Sequence, residues 1–222
     1  MSRKVVRLTV DHLADLPGPC RTCLFWELDP VRRGRVDGPE AAAAEKEAWL
    51  SEVLREWGSC GRVVLVDDRP VGYVVYVPPA YAPGADGFPT APVSTDAVLL
   101  TTAYVDPLHA GGGLGRLLVQ GMAGDLIRRG GIRAVEAFGT TTPRLGQAWG
   151  SCLVPADFLG GVGFKTHRPH ALTPRMRMEL RSALTWRDEV EAAVERLIGV
   201  VRPTPAPAPE RSHRSLGEPG ER

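Results

Sequence analysis

The chain has 222 residues, 43% apolar and 24% charged, with a formal net charge of +1. That length suits one ordinary domain plus trimmings, and the balanced charge leaves no footprint for sequence-independent binding to nucleic acid. The longest apolar-rich run, residues 97–105, is far short of the roughly 20 residues that span a bilayer. Met1–Val10 lacks the uninterrupted apolar stretch of a secretory signal, so a soluble, cytoplasmic protein with no membrane partner is expected.

In chain order, Val5–Val10 has the β-branched content of a strand, and Pro17, Gly18 and Pro19 interrupt any regular element after it. From Glu40 to Trp57, the residues Trp49, Leu50, Val53, Leu54 and Trp57 recur at helical spacing between Pro39 and Gly58. Arg62–Val66 and Val71–Val77 read as a hairpin joined through Asp67–Pro70. Pro78–Pro92 has little periodicity and is predicted as a surface loop, and Ala97–Val105 as a buried strand. Gly113–Arg129 carries Leu114, Leu117, Leu118, Met122 and Leu126 on one helical face. A strand at Ala134–Phe138 completes a βαβ-like unit. A short helix (Ala156–Val162), a strand near Phe164 and a last strand at Met176–Leu180 follow.

Three segments are predicted: a domain over residues 1–184, an amphipathic helix over 185–201 and a disordered tail over 202–222. The helix presents Trp186, Val190, Val194 and Leu197 on one face, which docks on the domain or on a second copy of it and so leaves a homodimer open. The tail is rich in Pro and polar residues and has almost nothing to bury.

The informative stretch is Ala103–Leu118, AYVDPLHAGGGLGRLL, which joins a strand to a helix through glycines. Free amides and the helix dipole at such a junction suit a phosphate or pyrophosphate. A Walker A loop would need Lys and Ser or Thr after Gly115, where Arg116 and Leu117 stand. A dinucleotide fingerprint starting at Gly111 and Gly113 would place its third glycine at Arg116, although Glu136 lies at about the right separation for a ribose contact. A turn that merely lets helix pack on strand is the plain alternative.

The same residues resemble the pyrophosphate-binding motif of the GNAT N-acetyltransferase superfamily, Q/R-x-x-G-x-G/A, with Val105, Pro107, Gly113, Gly115 and Arg116 in frame and Ala110 where the family usually has Arg or Gln. Phe158–Phe164 (FLGGVGF) is similar to that family's F-Y-x-x-x-G-F segment. The resemblance implies an α/β (α+β) fold with a mixed, largely antiparallel sheet, flanking helices and a splayed strand pair that binds acyl-CoA. It further implies acetyl transfer from acetyl-CoA to a small-molecule or peptide amine, by direct attack on the thioester, with no metal. The donor site would comprise Tyr104, Val105, Gly111, Gly112, Gly113, Leu114, Gly115 and Arg116, its backbone dipoles polarising the thioester.

The family's usual proton-transfer residues are missing: Leu99, Leu100, Thr101 and Thr102 occupy the strand where a Glu is common, and Leu159 replaces the Tyr. Tyr104, His109 and Glu136 are the first substitutes, with Ser151, Cys152 and Asp157 behind them. A non-catalytic acyl-CoA-binding regulatory module is therefore the main rival. Cys20 and Cys23 form a C-x-x-C pair open to three readings: packing thiols, a redox pair, or metal ligands with Cys60 and a His.

Overall fold

Val5 and Val6 turn to opposite faces of a short strand, β1 (Arg3–Arg7), at one edge of the sheet. The structure is a computed structural model that describes residues 2–15, 21–142 and 153–181, all within one unit spanning Met1–Thr185. The helix at 185–201 and the tail at 202–222 lie outside the described residues, as do Cys20, Ser151 and Cys152.

Two four-residue helices, α1 (His12–Asp15) and α2 (Pro30–Arg33), follow β1. Asp29 caps α2 by accepting the amides of Val31 (2.8 Å) and Arg32 (2.9 Å), with Pro30 supplying the fixed φ of a first helical turn. Neither helix is visible as periodicity, because four residues make barely one turn. The periodic run after them is α3 (Gly38–Glu56), burying Trp49, Leu50 and Val53.

The β-branched runs form the hairpin β2 (Gly61–Val66) and β3 (Arg69–Val77). Asp67 and Asp68 turn the chain with φ of 48° and 61°, the left-handed pair whose twist suits a tight hairpin. Pro78–Pro92, expected as a surface loop, is instead packed in: Ala82 and Ala85 are buried, and the Phe88 ring stacks on Phe138 (4.2 Å) and Trp26 (5.4 Å). Apolar contacts of this kind fix a segment that its composition leaves unpatterned.

β4 (Ala97–Val105) leads through the glycine turn into α4 (Leu114–Arg129), which returns to β5 (Ala134–Thr140). A two-residue strand β6 (Val154–Pro155), a helix α5 (Ala156–Gly161), β7 (Lys165–Arg168) and β8 (Arg175–Glu179) complete the described chain. The sheet runs β1-β2-β3-β4-β5-β8-β7, with β6 beside β5. All neighbours pair antiparallel except β4–β5 and β5–β6. One face carries Tyr73, Leu99 and Phe138 against Trp49, Leu50 and Val53 of α3, with Trp26 in the same cluster; the other carries Val64, Tyr76, Leu100 and Val135 against Leu118, Met122 and Leu126 of α4.

Candidate functional site

β4 is nine residues long, yet β5 pairs with only Ala97, Val98 and Leu99. Beyond the last rung, Leu99 with Glu136, β5 goes on to pair with β6 at Gly139 and Thr140. Among the described residues, the β4 edge from Leu100 to Val105 that faces β5 therefore has no strand partner. Backbone groups left on such an edge are a template for an extended ligand with its own amides. On its other side β4 stays paired to β3, with a bulge: Val75 faces Thr102 and Tyr76 faces Leu100, so Thr101 is the extra residue. The Thr101 hydroxyl donates to the Val75 carbonyl (3.1 Å) and ties the bulge down.

At the far end of that open edge the chain is turned by polar contacts. The Asp106 amide donates to the Val71 carbonyl (2.8 Å), and its carboxylate accepts the Leu108 amide (2.8 Å) to close a 3-10 turn over Pro107–His109. Gly111 and Gly113 have φ of 79° and 77°, and a Cβ on either would meet nothing within 4 Å. Glycine is thus required here by backbone conformation, with open space left in front of the turn. Gly113 is the N-cap of α4 and supplies no side-chain cap, so the first amides of the helix and the positive end of its dipole face outward. Arg3, at the start of β1, reaches the turn and donates from Nη1 to the Gly112 carbonyl (2.9 Å).

Two contacts join this turn to the FLGGVGF segment. A Cβ on Gly115 would lie 2.7 Å from Cε2 of Phe158, so the ring occupies the space that only glycine leaves. Arg116 Nη2 donates to the Gly161 carbonyl at 2.9 Å.

The predicted site residues divide accordingly. Val105, Gly111, Gly112, Gly113, Leu114, Gly115 and Arg116 are contiguous through the end of β4 and the turn; the Leu114 side chain is buried, which leaves its backbone as the usable part. Tyr104 pairs with Tyr73 across β3 and β4, ring centroids 5.7 Å apart. His109 ends the 3-10 turn, and its Nδ1 is buried without a hydrogen-bond partner. Asp157 is exposed in the first turn of α5.

Glu136 lies on the last β4–β5 rung, where the two strands part, and not at the turn end of β4 with Tyr104 and His109. It stands opposite Leu99, five residues along β4 from Tyr104, roughly 16 Å at the rise of a strand. It is fully buried, ion-paired to Arg175 (3.1 Å) and Arg177 (3.1 Å), and accepts the Ser94 amide (3.1 Å). Burial pushes its carboxyl up, but Ser94 and the two guanidiniums outweigh that and hold it below its ordinary value. A carboxylate so held is a charged anchor at the vertex of the fork and a poor proton acceptor. The Glu136 register partner is Arg177, which Asp96 also grips through both oxygens (2.9 and 3.0 Å).

A second buried pair, Glu27 with Lys46, escaped the sequence reading. Lys46 Nζ also donates to the Cys23 carbonyl (2.9 Å) and, with Trp49, Tyr73 and Thr102, lines a small cavity beneath the β4 bulge on the α3 face. The pair's only sequence signal is one acidic and one basic residue 19 positions apart. Cys60 is fully buried, and burial pushes its thiol up to about 12. Among the described residues no group of His, Cys, Asp and Glu is disposed to hold a metal ion, and no helix is long and apolar enough to cross a membrane.

In sequence, residues 23–148 match the model of the Acetyltransferase (GNAT) family. No curated protein matches the chain. Among solved structures, the loading GNATL domain of CurA from Lyngbya majuscula is similar with a TM-score of 0.51 and 14% identity, over 82% of this chain and 100% of its own. AAC(6')-Ib in complex with ribostamycin and coenzyme A is similar with a TM-score of 0.51 and 16% identity, over 83% of this chain and 97% of its own. The PaiA N-acetyltransferase from Thermoplasma acidophilum, in complex with coenzyme A, has a TM-score of 0.48 and 14% identity, over 81% and 99%. For the CurA domain and AAC(6')-Ib, at these identities, the likeness is one of fold: a mixed, largely antiparallel sheet with flanking helices.

Proposed function

We propose, from the premise that this chain belongs to the acetyltransferase (GNAT) family, that it transfers an acetyl group from acetyl-CoA to a primary amine by direct attack on the thioester. The observation that carries this reading is the fork in the sheet: the β4–β5 ladder stops at Leu99 and Glu136, and the open β4 edge runs straight into an uncapped helix N-terminus. An acyl-CoA offers amides for the first and a pyrophosphate for the second. AAC(6')-Ib, of similar fold, is seen with coenzyme A, and the donor set Tyr104 to Arg116 has the matching chemistry here.

In this reading the open edge and the turn hold the donor, and fixed backbone dipoles at the bulge stabilise charge developing on the thioester oxygen. The amine nitrogen forms the new C–N bond as the C–S bond breaks, the thiolate of CoA leaves, and the proton given up by the amine passes through solvent to that thiolate, which yields the amide and free CoA thiol. Tyr104 and His109 remain the proposed proton-transfer candidates at the turn end of β4; Glu136 leaves that set. The domain limits at 184 and 201, docking of the 185–201 helix on the domain or on a second copy of it, and cytoplasmic residence belong to the same proposal.

The test is turnover: acetyl-CoA mixed with a panel of small amines and peptides, followed by release of the free CoA thiol. Amine-dependent release is expected. Binding of acetyl-CoA without such release would favour the non-catalytic acyl-CoA-binding module, which the apolar Leu99, Leu100 and Leu159 also permit.

A further inference from the structure

We infer that Arg3, from the edge strand β1, is a phosphate-binding residue of the donor site, replacing the cationic or polar side chain that Ala110 does not provide. This rests on the acyl-CoA reading above. The motif that the glycine turn follows normally carries Arg or Gln three residues before its first glycine, and here that position, Ala110, has no polar side chain. A pyrophosphate is a dianion, and uncapped amides alone leave its charge only partly neutralised.

Arg3 is delivered to the turn by the fold. The Ser2 amide donates to the Asp67 carboxylate (2.8 Å) and the Asp67 amide to the Ser2 carbonyl (3.0 Å), which pins the start of β1 to the β2–β3 turn. Arg3 is in register with Val66, and Val5, two residues on and on the same face, packs beneath α4 where a Cβ on Gly121 would come within 3.1 Å of it. Side chains two apart on a strand share a face, so Arg3 lies under the N-terminal end of α4. Its Nη1 donates to the Gly112 carbonyl, between the two left-handed glycines.

Among the described residues Arg3 makes no ion pair, and it is exposed. One nitrogen thus fixes the guanidinium at the turn, and its remaining N–H groups and undiminished charge are left for an anion in front of it. A guanidinium presents five donors in a rigid fork, so holding a carbonyl and a phosphate oxygen at once is within its geometry. Arg3 lies outside the segment that matches the family model, residues 23–148.

The experiment is a calorimetric titration of acetyl-CoA and of acetyl-3′-dephospho-CoA into the full-length protein and its Arg3→Ala, Arg3→Gln and Arg3→Lys variants, at low and high salt. Wild type that binds neither donor would sink the acyl-CoA reading itself. If wild type binds, Arg3→Ala should weaken both donors about 10-fold, as expected for a lost charge-assisted hydrogen bond, with a shallower dependence on salt. Arg3→Gln keeps a donor for Gly112 and removes the charge, so it should behave like Arg3→Ala, while Arg3→Lys should recover part of the affinity. Wild-type affinity in Arg3→Ala would overturn the inference. So would full affinity in Arg3→Gln, which would mean that Arg3 only props the turn, or a loss that vanishes for the dephospho donor, which would move the contact to the 3′-phosphate.

Discussion

The ring of Phe158 fills the space where a side chain on Gly115 would begin, with Cε2 only 2.7 Å from the position of a Cβ. The glycine that opens α4 and the aromatic that opens FLGGVGF are therefore one packing unit, although 43 residues separate them (158 − 115). In open space Gly115→Ala would gain about 1 kcal/mol of helix propensity. Here the ring must move first, so the substitution should destabilise by about 1 kcal/mol. In a Phe158→Ala background the same substitution should become stabilising. Urea unfolding of the four proteins of this double-mutant cycle reads the coupling; two additive substitutions would mean that the pair does not interact.

Glu136→Gln should cost about 3 kcal/mol at pH 7, because it leaves Arg175 and Arg177, both largely buried, without their shared carboxylate. The folded-state pKa of Glu136 is depressed below the ordinary glutamate value of 4.5. Its contribution is therefore complete above that value and disappears as pH falls through the lower folded value. The stability gap between wild type and variant should narrow as pH drops below about 4.5. Urea midpoints measured between pH 7 and pH 3 test this, and a constant gap would contradict the ion-pair assignment.

Cys60, with its thiol pushed up to about 12 by burial, should resist alkylation in the native protein and react fully in urea. Direct attack on a thioester needs no covalent enzyme intermediate, so Cys20→Ser with Cys23→Ser should leave turnover largely intact. Stoichiometric zinc in the purified protein, or loss of activity in that variant, would make the pair a functional site.

Truncation after Arg202 should change neither folding nor acetyl-CoA binding, because the segment removed has few apolar side chains to offset an ordering cost of about 1 to 2 kcal/mol per residue. Truncation at Leu184 also removes Trp186, Val190, Val194 and Leu197, whose burial would contribute roughly 1.5 to 3 kcal/mol each. It should lower the melting temperature or change the oligomeric state. Equal melting and gel-filtration behaviour of the two truncations would mean that the 185–201 helix is an appendage.

What was legible in the sequence is what local chemistry decides. Glycines that must adopt positive φ, a 3.6-residue apolar period in α4 and β-branched runs in β2, β3 and β4 all act within a few residues, and the strand–glycine turn–helix unit is legible from them. The ion pairs of Glu136 are not legible, because Arg175 and Arg177 arrive from β8, through a register that no local pattern encodes. The Arg3 contact is illegible for the same reason, 109 residues from the carbonyl it holds. Pro78–Pro92 reads as a surface loop because its proline and glycine content says nothing of Phe88, whose stacking on Phe138 depends on β5 being in place.

The central claim is that the Gly111–Gly115 turn, beside the open edge of β4, holds the pyrophosphate of acetyl-CoA. Gly113→Asp tests it most directly, since it sets a carboxylate at the N-terminus of α4 where an anion must sit, and a side chain where φ is 77°. Circular dichroism first establishes that the variant is folded, and calorimetric titration with acetyl-CoA then compares it with wild type. The expected result is saturable binding by wild type and none measurable by Gly113→Asp; undiminished affinity in the folded variant would contradict the donor site described here.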